Sequence, residues 1–151
     1  MQYTRRSALA FGAGAAVFVG AGLNAGIARA AAEDTTKAIE EFSGGNAPQA
    51  GRITLTAPEI AENGNTVPIS VSVDGDLDAP DAVESVVIFA EGNPNPGVVT
   101  FFFTPLSGSA DASTRMRLAK TQNVIAVAKM RDGSVFMDKK EVKVTIGGCG
   151  G

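Results

Sequence analysis

The chain has 151 residues, with 13 basic and 16 acidic side chains, one cysteine and no histidine. Its acidic balance argues against a nucleic-acid-binding protein, which needs a basic surface. Without histidine, Cys-His and Ser-His catalytic pairs are excluded, and zinc, copper or haem sites lack most of their ligands. We therefore expect no cofactor and no metal in this chain, whose length suits one domain with one core.

The start of the chain has the features of an export signal. Arg5 and Arg6 precede a long uncharged stretch rich in alanine, glycine and valine. This arrangement is typical of the twin-arginine pathway, which leads to the periplasm. A transmembrane anchor is the alternative, but alanine and glycine dominate where a stable span would use leucine and isoleucine. We predict that residues 1–30 are a signal peptide and that no membrane segment remains after processing.

The cleavage point stays open, because small-x-small patterns end at both Ala30 and Ala32. Removing Arg5, Arg6 and Arg29 from the 13 basic residues leaves 10, against 16 acidic residues, so the charge of residues 31–151 is −6. This more acidic mature chain makes a nucleic-acid partner still less compatible with the sequence.

Residues 31–50 are predicted to form a short helix and a linker. Asp34 or Thr35 can act as N-cap of a helix from Thr35 to Phe42, and Gly44-Gly45 can end it. Residues 51–146 then show the period of two that indicates β-strands, most clearly in Val67–Val73. The remaining predicted strands are Arg52–Thr56, Val83–Ala90, Val98–Thr104, Ala112–Leu118, Asn123–Met130, Ser134–Asp138 and Glu141–Ile146.

Seven or eight short strands at this spacing indicate an all-β fold, an immunoglobulin-like antiparallel β-sandwich. Asn93-Pro94-Asn95-Pro96-Gly97 is a turn cluster, and Arg131-Asp132-Gly133 is a hairpin signal. In the last strand we expect Val142, Val144 and Ile146 to face the core. Ile146 would then anchor the end of the chain, and freedom would begin at Gly147.

Two segments carry alternative interpretations. Phe101-Phe102-Phe103 places apolar bulk on both faces of one strand, which indicates either a central strand buried on both sides or one face packed on another subunit. Asp74-Gly75-Asp76-Leu77-Asp78 has the spacing of the first half of a calcium loop, but its twelfth position is Ser85 rather than glutamate. An acidic turn between strands is the simpler interpretation of that segment.

The chain ends Gly147-Gly148-Cys149-Gly150-Gly151, and Cys149 is its single cysteine. In an oxidising compartment an unpaired cysteine indicates an intermolecular bond or a working thiol. The flanking glycines predict a slender, mobile arm that carries the sulfur about 10 Å from the body. No cation on the arm activates the thiol. We therefore predict that residues 147–151 are a swinging arm that presents Cys149 to other proteins, and that the chain is a carrier and not an enzyme.

Three motifs resemble the SoxY family, the sulfur-carrier subunits of the bacterial Sox thiosulfate-oxidising system. They are the stretch Leu55-Thr56-Ala57-Pro58-Glu59-Ile60-Ala61-Glu62-Asn63-Gly64-Asn65-Thr66-Val67-Pro68-Ile69, the segment Phe89-Ala90-Glu91-Gly92-Asn93-Pro94, and the Gly147-Gly148-Cys149-Gly150-Gly151 tail. With the twin-arginine leader, the resemblance covers nearly the whole chain.

The resemblance implies a heterodimer with a SoxZ-like β-sandwich subunit and covalent attachment of sulfur at Cys149. It also implies that the carrier binds three enzymes in turn. A c-type haem enzyme joins thiosulfate to the thiol, a dimanganese hydrolase releases sulfate, and in some organisms a molybdenum-haem dehydrogenase oxidises the remaining sulfane sulfur. None of these metals belongs to this chain.

Two other functions remain open from the residues themselves. An exported structural β-module crosslinked through Cys149 would explain the export signal and the odd cysteine, but not the four glycines around it. A periplasmic redox or peroxide-reactive enzyme would use the thiol, but the sequence offers no base, no resolving cysteine and no positive surroundings for it.

Overall fold

A computed structural model describes residues 32–148, which form a helix and two β-sheets. The predicted signal peptide with Arg5 and Arg6, and the terminal residues Cys149, Gly150 and Gly151, lie outside the described residues. Helix α1 covers residues 32–43. The strands are β1 (Ile53–Thr56), β2 (Ile60–Asn63), β3 (Val67–Val73), β4 (Val83–Ala90), β5 (Gly97–Phe102), β6 (Asp111–Met116), β7 (Gln122–Met130) and β8 (Val135–Ile146).

The smaller sheet has the strand order β1-β3-β6, and the larger has the order β2-β8-β7-β4-β5. Neighbouring strands are antiparallel, except that β2 runs parallel to β8. The prediction of an all-β sandwich with a short N-terminal helix is confirmed. Among the paired strands of the described residues, β2 and β8 depart from antiparallel pairing, and an isolated bridge between Gln49 and Phe136 is also parallel. No helix within residues 32–148 is long and apolar enough to span a membrane.

The larger sheet is covered on both faces in its middle. Its inner face packs on the smaller sheet through residues such as Val86, Ile88 and Val124. Its outer face forms a second apolar cluster, where Phe89 and Ile125 meet Phe42 of α1. This two-sided burial explains why β4 and β7 are almost continuously apolar instead of alternating.

Helix α1 begins earlier than the capping pattern predicts. Asp34 and Thr35 lie inside the helix and not at its N-cap, since Ala32 and Glu33 before them are already helical. Alanine and glutamate both have a high helix propensity. The predicted C-terminal end is confirmed: Gly44 has a φ of 65°, and the amide of Gly45 donates a hydrogen bond to the carbonyl of Glu40.

Two strand predictions were wrong. The segments Ser134–Asp138 and Glu141–Ile146 form one continuous strand, β8, because Lys139 and Lys140 keep pairing with β7 while their side chains extend into solvent. Strand β2 was missed altogether. In this strand only Ala61 is buried, so the apolar alternation that marks a strand is absent.

The three phenylalanines do not lie on a central strand. Strand β5 is the outermost strand of the larger sheet, so the prediction of burial on both sides is wrong. Phe103 is buried, whereas Phe102 is 76% exposed. Leu106 in the following 3-10 turn, Pro105–Ser107, is also exposed. This edge therefore presents apolar side chains to solvent.

Along β8 the core-facing side chains become progressively exposed. Val142 is fully buried and Val144 is half-buried, but Ile146 is 67% exposed. The prediction that the Ile146 side chain anchors the end of the chain is therefore wrong. The backbone of Ile146 is held instead, since its carbonyl accepts a hydrogen bond of 2.7 Å from the amide of Gly64.

Candidate functional site

After β8 the chain runs between two segments of the body. On one side, the amide of Gly64 donates to the carbonyl of Ile146 at 2.7 Å. On the other, the amide of Gly148 donates to the carbonyl of Leu118 at 2.9 Å. The two segments are joined to each other, because the amide of Leu118 donates to the carbonyl of Gly64 at 2.8 Å. We call the contact of Gly147 and Gly148 with Gly64, Leu118 and Ala119 the tail clasp.

The tail clasp leaves no room for side chains on its glycines. A Cβ atom on Gly64 would lie 2.3 Å from the carbonyl oxygen of Leu118, and one on Gly147 would lie 2.2 Å from that of Ala119. A Cβ on Gly148 would lie 2.8 Å from the carbonyl oxygen of Gly64. These glycines are therefore required for close approach of backbone to backbone.

The start of the arm differs from the sequence-based expectation. Gly147 and Gly148, predicted to begin the free arm, lie against the body, and Gly148 is buried. Cys149, Gly150 and Gly151 follow outside the described residues. Covalent geometry alone places the Cα of Cys149 about 3.8 Å from that of Gly148. The predicted carrier residue, Cys149, is thus the direct neighbour in sequence of a residue fixed in the clasp.

A buried polar network supports one half of the clasp. The side-chain oxygen of Asn93 accepts hydrogen bonds from the amide of Ala119 and from Nε2 of Gln122, at 3.1 and 2.8 Å. Its side-chain nitrogen donates to the carbonyl of Arg117 at 2.9 Å. Asn93 and Gln122 are both buried. One asparagine therefore fixes the backbone on both sides of Leu118.

The charged groups with shifted pKa values lie away from the clasp. Hydrogen bonds from Ser72 and Ser109 lower the pKa of Asp111, and hydrogen bonds from Ser134 lower the pKa of Asp132. Asp111 begins β6 and Asp132 precedes β8, so both lie at the strand ends opposite to the clasp. The electrostatics of the described residues therefore do not mark an acid-base centre beside the tail.

The acidic turn at Asp74, Asp76 and Asp78 connects β3 to β4. The carbonyl of Asp74 accepts hydrogen bonds from the Arg52 guanidinium, and Asp76 accepts one from the amide of Asp78. Within residues 32–148, no three His, Cys, Asp or Glu side chains form a cluster that could hold a metal ion. These contacts favour the interpretation of this segment as a structural turn.

Sequence reasoning did not assign roles to Gly64, Asn93 or Gln122. Gly64 and Asn93 belong to two of the motifs on which the family resemblance depends, but nothing in their spacing places them beside the tail. Only the fold brings the 55–69 stretch, the 89–94 segment and the C-terminus to one end of the sandwich.

Solved structures of superoxide reductases share the fold at low sequence identity. The enzyme from Ignicoccus hospitalis is 22% identical, with a TM-score of 0.54 over 62% of this chain and 80% of its own. The enzyme from Nanoarchaeum equitans is 12% identical, with a TM-score of 0.52 over 64% of this chain and 98% of its own. These likenesses concern the sandwich alone. A comparison with curated proteins gives no match.

A more specific likeness concerns sulfur carriers. The structure of the sulfur carrier protein SoxY from Chlorobium limicola f thiosulfatophilum is 32% identical, with a TM-score of 0.64 over 78% of this chain and 97% of its own. The family model for the sulfur oxidation protein SoxY matches residues 39–149, a range that ends at the cysteine. The chain therefore belongs to the SoxY family and has a sulfur-carrier role in sulfur oxidation.

Proposed function

We propose that this chain carries the sulfur intermediates of periplasmic thiosulfate oxidation as covalent adducts of the Cys149 thiol. The observation that carries the proposal is the family match over residues 39–149, which extends to the single cysteine of the chain. The tail clasp supports it, because it holds Gly148, the residue before Cys149, against the body by a backbone hydrogen bond. The chain itself performs no catalysis in this proposal.

Partner enzymes form and cleave the sulfur adducts on Cys149. Conjugation joins the sulfane sulfur of thiosulfate to the cysteine sulfur, forming one S–S bond and releasing one proton and two electrons. The electrons pass to a c-type haem enzyme. A dimanganese hydrolase then adds water across the sulfane–sulfone bond, which releases sulfate and leaves a persulfide on Cys149. In organisms that have it, a molybdenum-haem dehydrogenase oxidises the outer sulfur of that persulfide to a sulfonate, with oxygen from water and with the electrons passing to its haem. Hydrolysis then releases sulfate and restores the Cys149 thiol.

The compartment and the subunit partner belong to the same proposal. Arg5 and Arg6 direct export to the periplasm by the twin-arginine pathway. A SoxZ-like β-sandwich subunit forms a heterodimer with this chain. The exposed edge at β5, where Phe102 and Leu106 are 76% and 97% exposed, is the surface we assign to that subunit. A buried apolar contact there would remove both side chains from water.

The test is the intact mass of the protein isolated from cells grown on thiosulfate, before and after reduction. The carrier function predicts added mass that matches sulfur, thiosulfate or sulfonate groups. Peptide mapping should place this mass on Cys149, and a reductant should remove the adducts that are bound through S–S bonds. A sample from cells grown without reduced sulfur compounds is the matched control.

A bare thiol under both conditions would contradict the proposal. So would a population made up only of Cys149-linked dimers, which would favour the crosslinked structural module. Rapid oxidation of Cys149 by peroxide, without sulfur adducts, would favour the redox enzyme.

A further inference from the structure

Three separate segments of the chain meet at the end of the sandwich where Gly148, the last described residue, lies. The 60–65 segment contributes Gly64, the 117–122 segment contributes the carbonyls of Leu118 and Ala119, and the tail contributes Gly147 and Gly148. The 89–94 segment adds Asn93 behind the second of these. The contact between them is almost entirely backbone to backbone, so it depends on position rather than on side-chain chemistry.

We infer that Gly64 and Asn93 are positioning residues for the Cys149 thiol, acting through the tail clasp. They hold the chain as far as Gly148, so that Cys149 is the first residue beyond the clasp and its sulfur leaves the body at one defined place. The inference rests on the proposed carrier function, because only that function gives a reason to position the thiol. The contacts themselves are independent of sulfur chemistry.

Gly64 acts by being small and by holding both sides of the tail. Its amide donates to the carbonyl of Ile146, and its carbonyl accepts from the amide of Leu118, whose own carbonyl accepts from the amide of Gly148. A methyl group at this position would lie 2.7 Å from the backbone nitrogen of Gly148 as well as 2.3 Å from the Leu118 oxygen. Since both neighbours are backbone atoms, the 117–122 segment and the tail both have to shift to make room, which opens the clasp.

Asn93 acts on the tail indirectly, through the backbone of the 117–122 segment. Its side chain binds the carbonyl of Arg117 and the amide of Ala119, which flank Leu118 in the chain. Gln122 orients that side chain, because Nε2 of Gln122 donates to the Asn93 oxygen while its Oε1 accepts from the amide of Gly92. The carbonyls of Leu118 and Ala119 therefore face the tail in a fixed geometry.

The single cysteine allows a direct test, because a nitroxide spin label can be attached at Cys149 alone. In the full-length mature protein we expect a restricted component in the electron paramagnetic resonance spectrum. Gly64→Ala should convert it to the spectrum of a freely rotating label. Amide hydrogen exchange at Gly148, followed by NMR in protein without the spin label, should become at least tenfold faster in the same variant.

Gly97→Ala is the matched control. A Cβ at Gly97 meets nothing within 4 Å, so this variant should retain the wild-type spectrum and exchange rate. Asn93→Ala should loosen the label in the same direction as Gly64→Ala. If Gly64→Ala does not fold, Gly148→Ala tests the same contact from the tail side, where its Cβ would meet the carbonyl of Gly64.

A label that rotates freely in the wild-type protein would overturn the inference. Equal spectra for wild type, Gly64→Ala and Gly148→Ala would also overturn it. Neither measurement involves a sulfur substrate, so such a result leaves the adduct masses of the proposed function unaffected. Conversely, the absence of adducts in cells would not alter the behaviour of the label.

Discussion

The carbonyl oxygen of Leu118 accepts a hydrogen bond of 2.9 Å from the amide of Gly148, the residue immediately before Cys149. Leu118 is itself fully buried, so this acceptor belongs to the rigid body of the sandwich. The residue that precedes the thiol is therefore joined to the core by a defined backbone hydrogen bond. In a carrier protein, such a contact would give every partner enzyme the same starting point for the cysteine.

The first prediction concerns the thiol. Cys149→Ser and Cys149→Ala should abolish thiosulfate oxidation in a reconstituted system, because neither side chain can form the S–S bond that holds the substrate. The unfolding temperature and the heterodimer should be unchanged, since the main core cluster is built from residues between Ile53 and Val142. Thiosulfate-dependent reduction of the c-type haem measures the first effect, and calorimetry with size-exclusion chromatography measures the others.

Thr145→Ala is a suitable control, since Thr145 is exposed on the last strand and lies close to the tail in sequence. It should retain wild-type turnover. Undiminished turnover in either cysteine variant would show that the chain does not carry sulfur on Cys149.

The second prediction concerns the partner surface. Phe102→Glu should prevent formation of the heterodimer, because it places a charge in the middle of the apolar edge formed by β5. Phe102 is already 76% exposed in the free subunit, so the variant should fold normally. Co-purification with the β-sandwich partner subunit, or its dissociation constant by calorimetry, measures the effect.

Ile60→Glu provides the matched control at the opposite edge of the same sheet. Ile60 lies on β2 and is 61% exposed, so its substitution adds the same charge at a comparable apolar position. It should leave the heterodimer intact. If Ile60→Glu disrupts the heterodimer and Phe102→Glu does not, the partner binds at β2 and not at β5.

Sequence patterns predicted strands best where one face of the strand is buried and the other is exposed, because the side chains then alternate with the period of the strand. Val67–Val73 alternates because one face is buried and the other is exposed, and β3 has these bounds in the structure. Strand β2 could not be predicted, because its only buried side chain is Ala61 and its place is set by parallel pairing with β8. Long-range pairing of this kind leaves no periodic signal in a local window.

The site was predictable only in part. The lone Cys149 between glycines predicts a carrier thiol, and that role stays a prediction because Cys149 lies outside the described residues. The same glycines suggested freedom at Gly147 and Gly148, where the structure shows close packing. A glycine permits unusual conformations and also permits close approach, and a sequence does not distinguish these uses. Asn93 and Gln122 come together only through folding, so their network had no local signature.

The third prediction concerns the stability of the sandwich. Oδ2 of Asp138 on β8 accepts a hydrogen bond of 2.8 Å from the amide of Leu55 on β1, which joins the two sheets. Because Leu55 is 1% exposed, Asp138→Ala would leave a buried amide without its partner. We expect a loss of about 1–3 kcal/mol in the free energy of unfolding.

Asp138→Asn separates the hydrogen bond from the size of the side chain, because asparagine keeps one acceptor oxygen. It should cost less than Asp138→Ala. Urea denaturation of the three proteins measures the difference. Equal stability of wild type and Asp138→Ala would show that this contact between the sheets is not stabilising.

The last prediction concerns pH. Hydrogen bonds from the hydroxyl and amide of Ser134 lower the pKa of Asp132 in the folded protein below its ordinary value of 3.8. The folded state therefore binds this proton less readily than the unfolded state, so the stabilisation is present above the ordinary pKa and is lost as the pH falls through the lowered one.

Urea midpoints from neutral to acidic pH should fall less steeply in Asp132→Asn than in wild type. In a Ser134→Ala background the difference between the two curves should shrink, because the hydroxyl that is the main cause of the shift is gone and the amide hydrogen bond remains. Parallel curves with Ser134 present would show that Asp132 does not contribute to acid sensitivity.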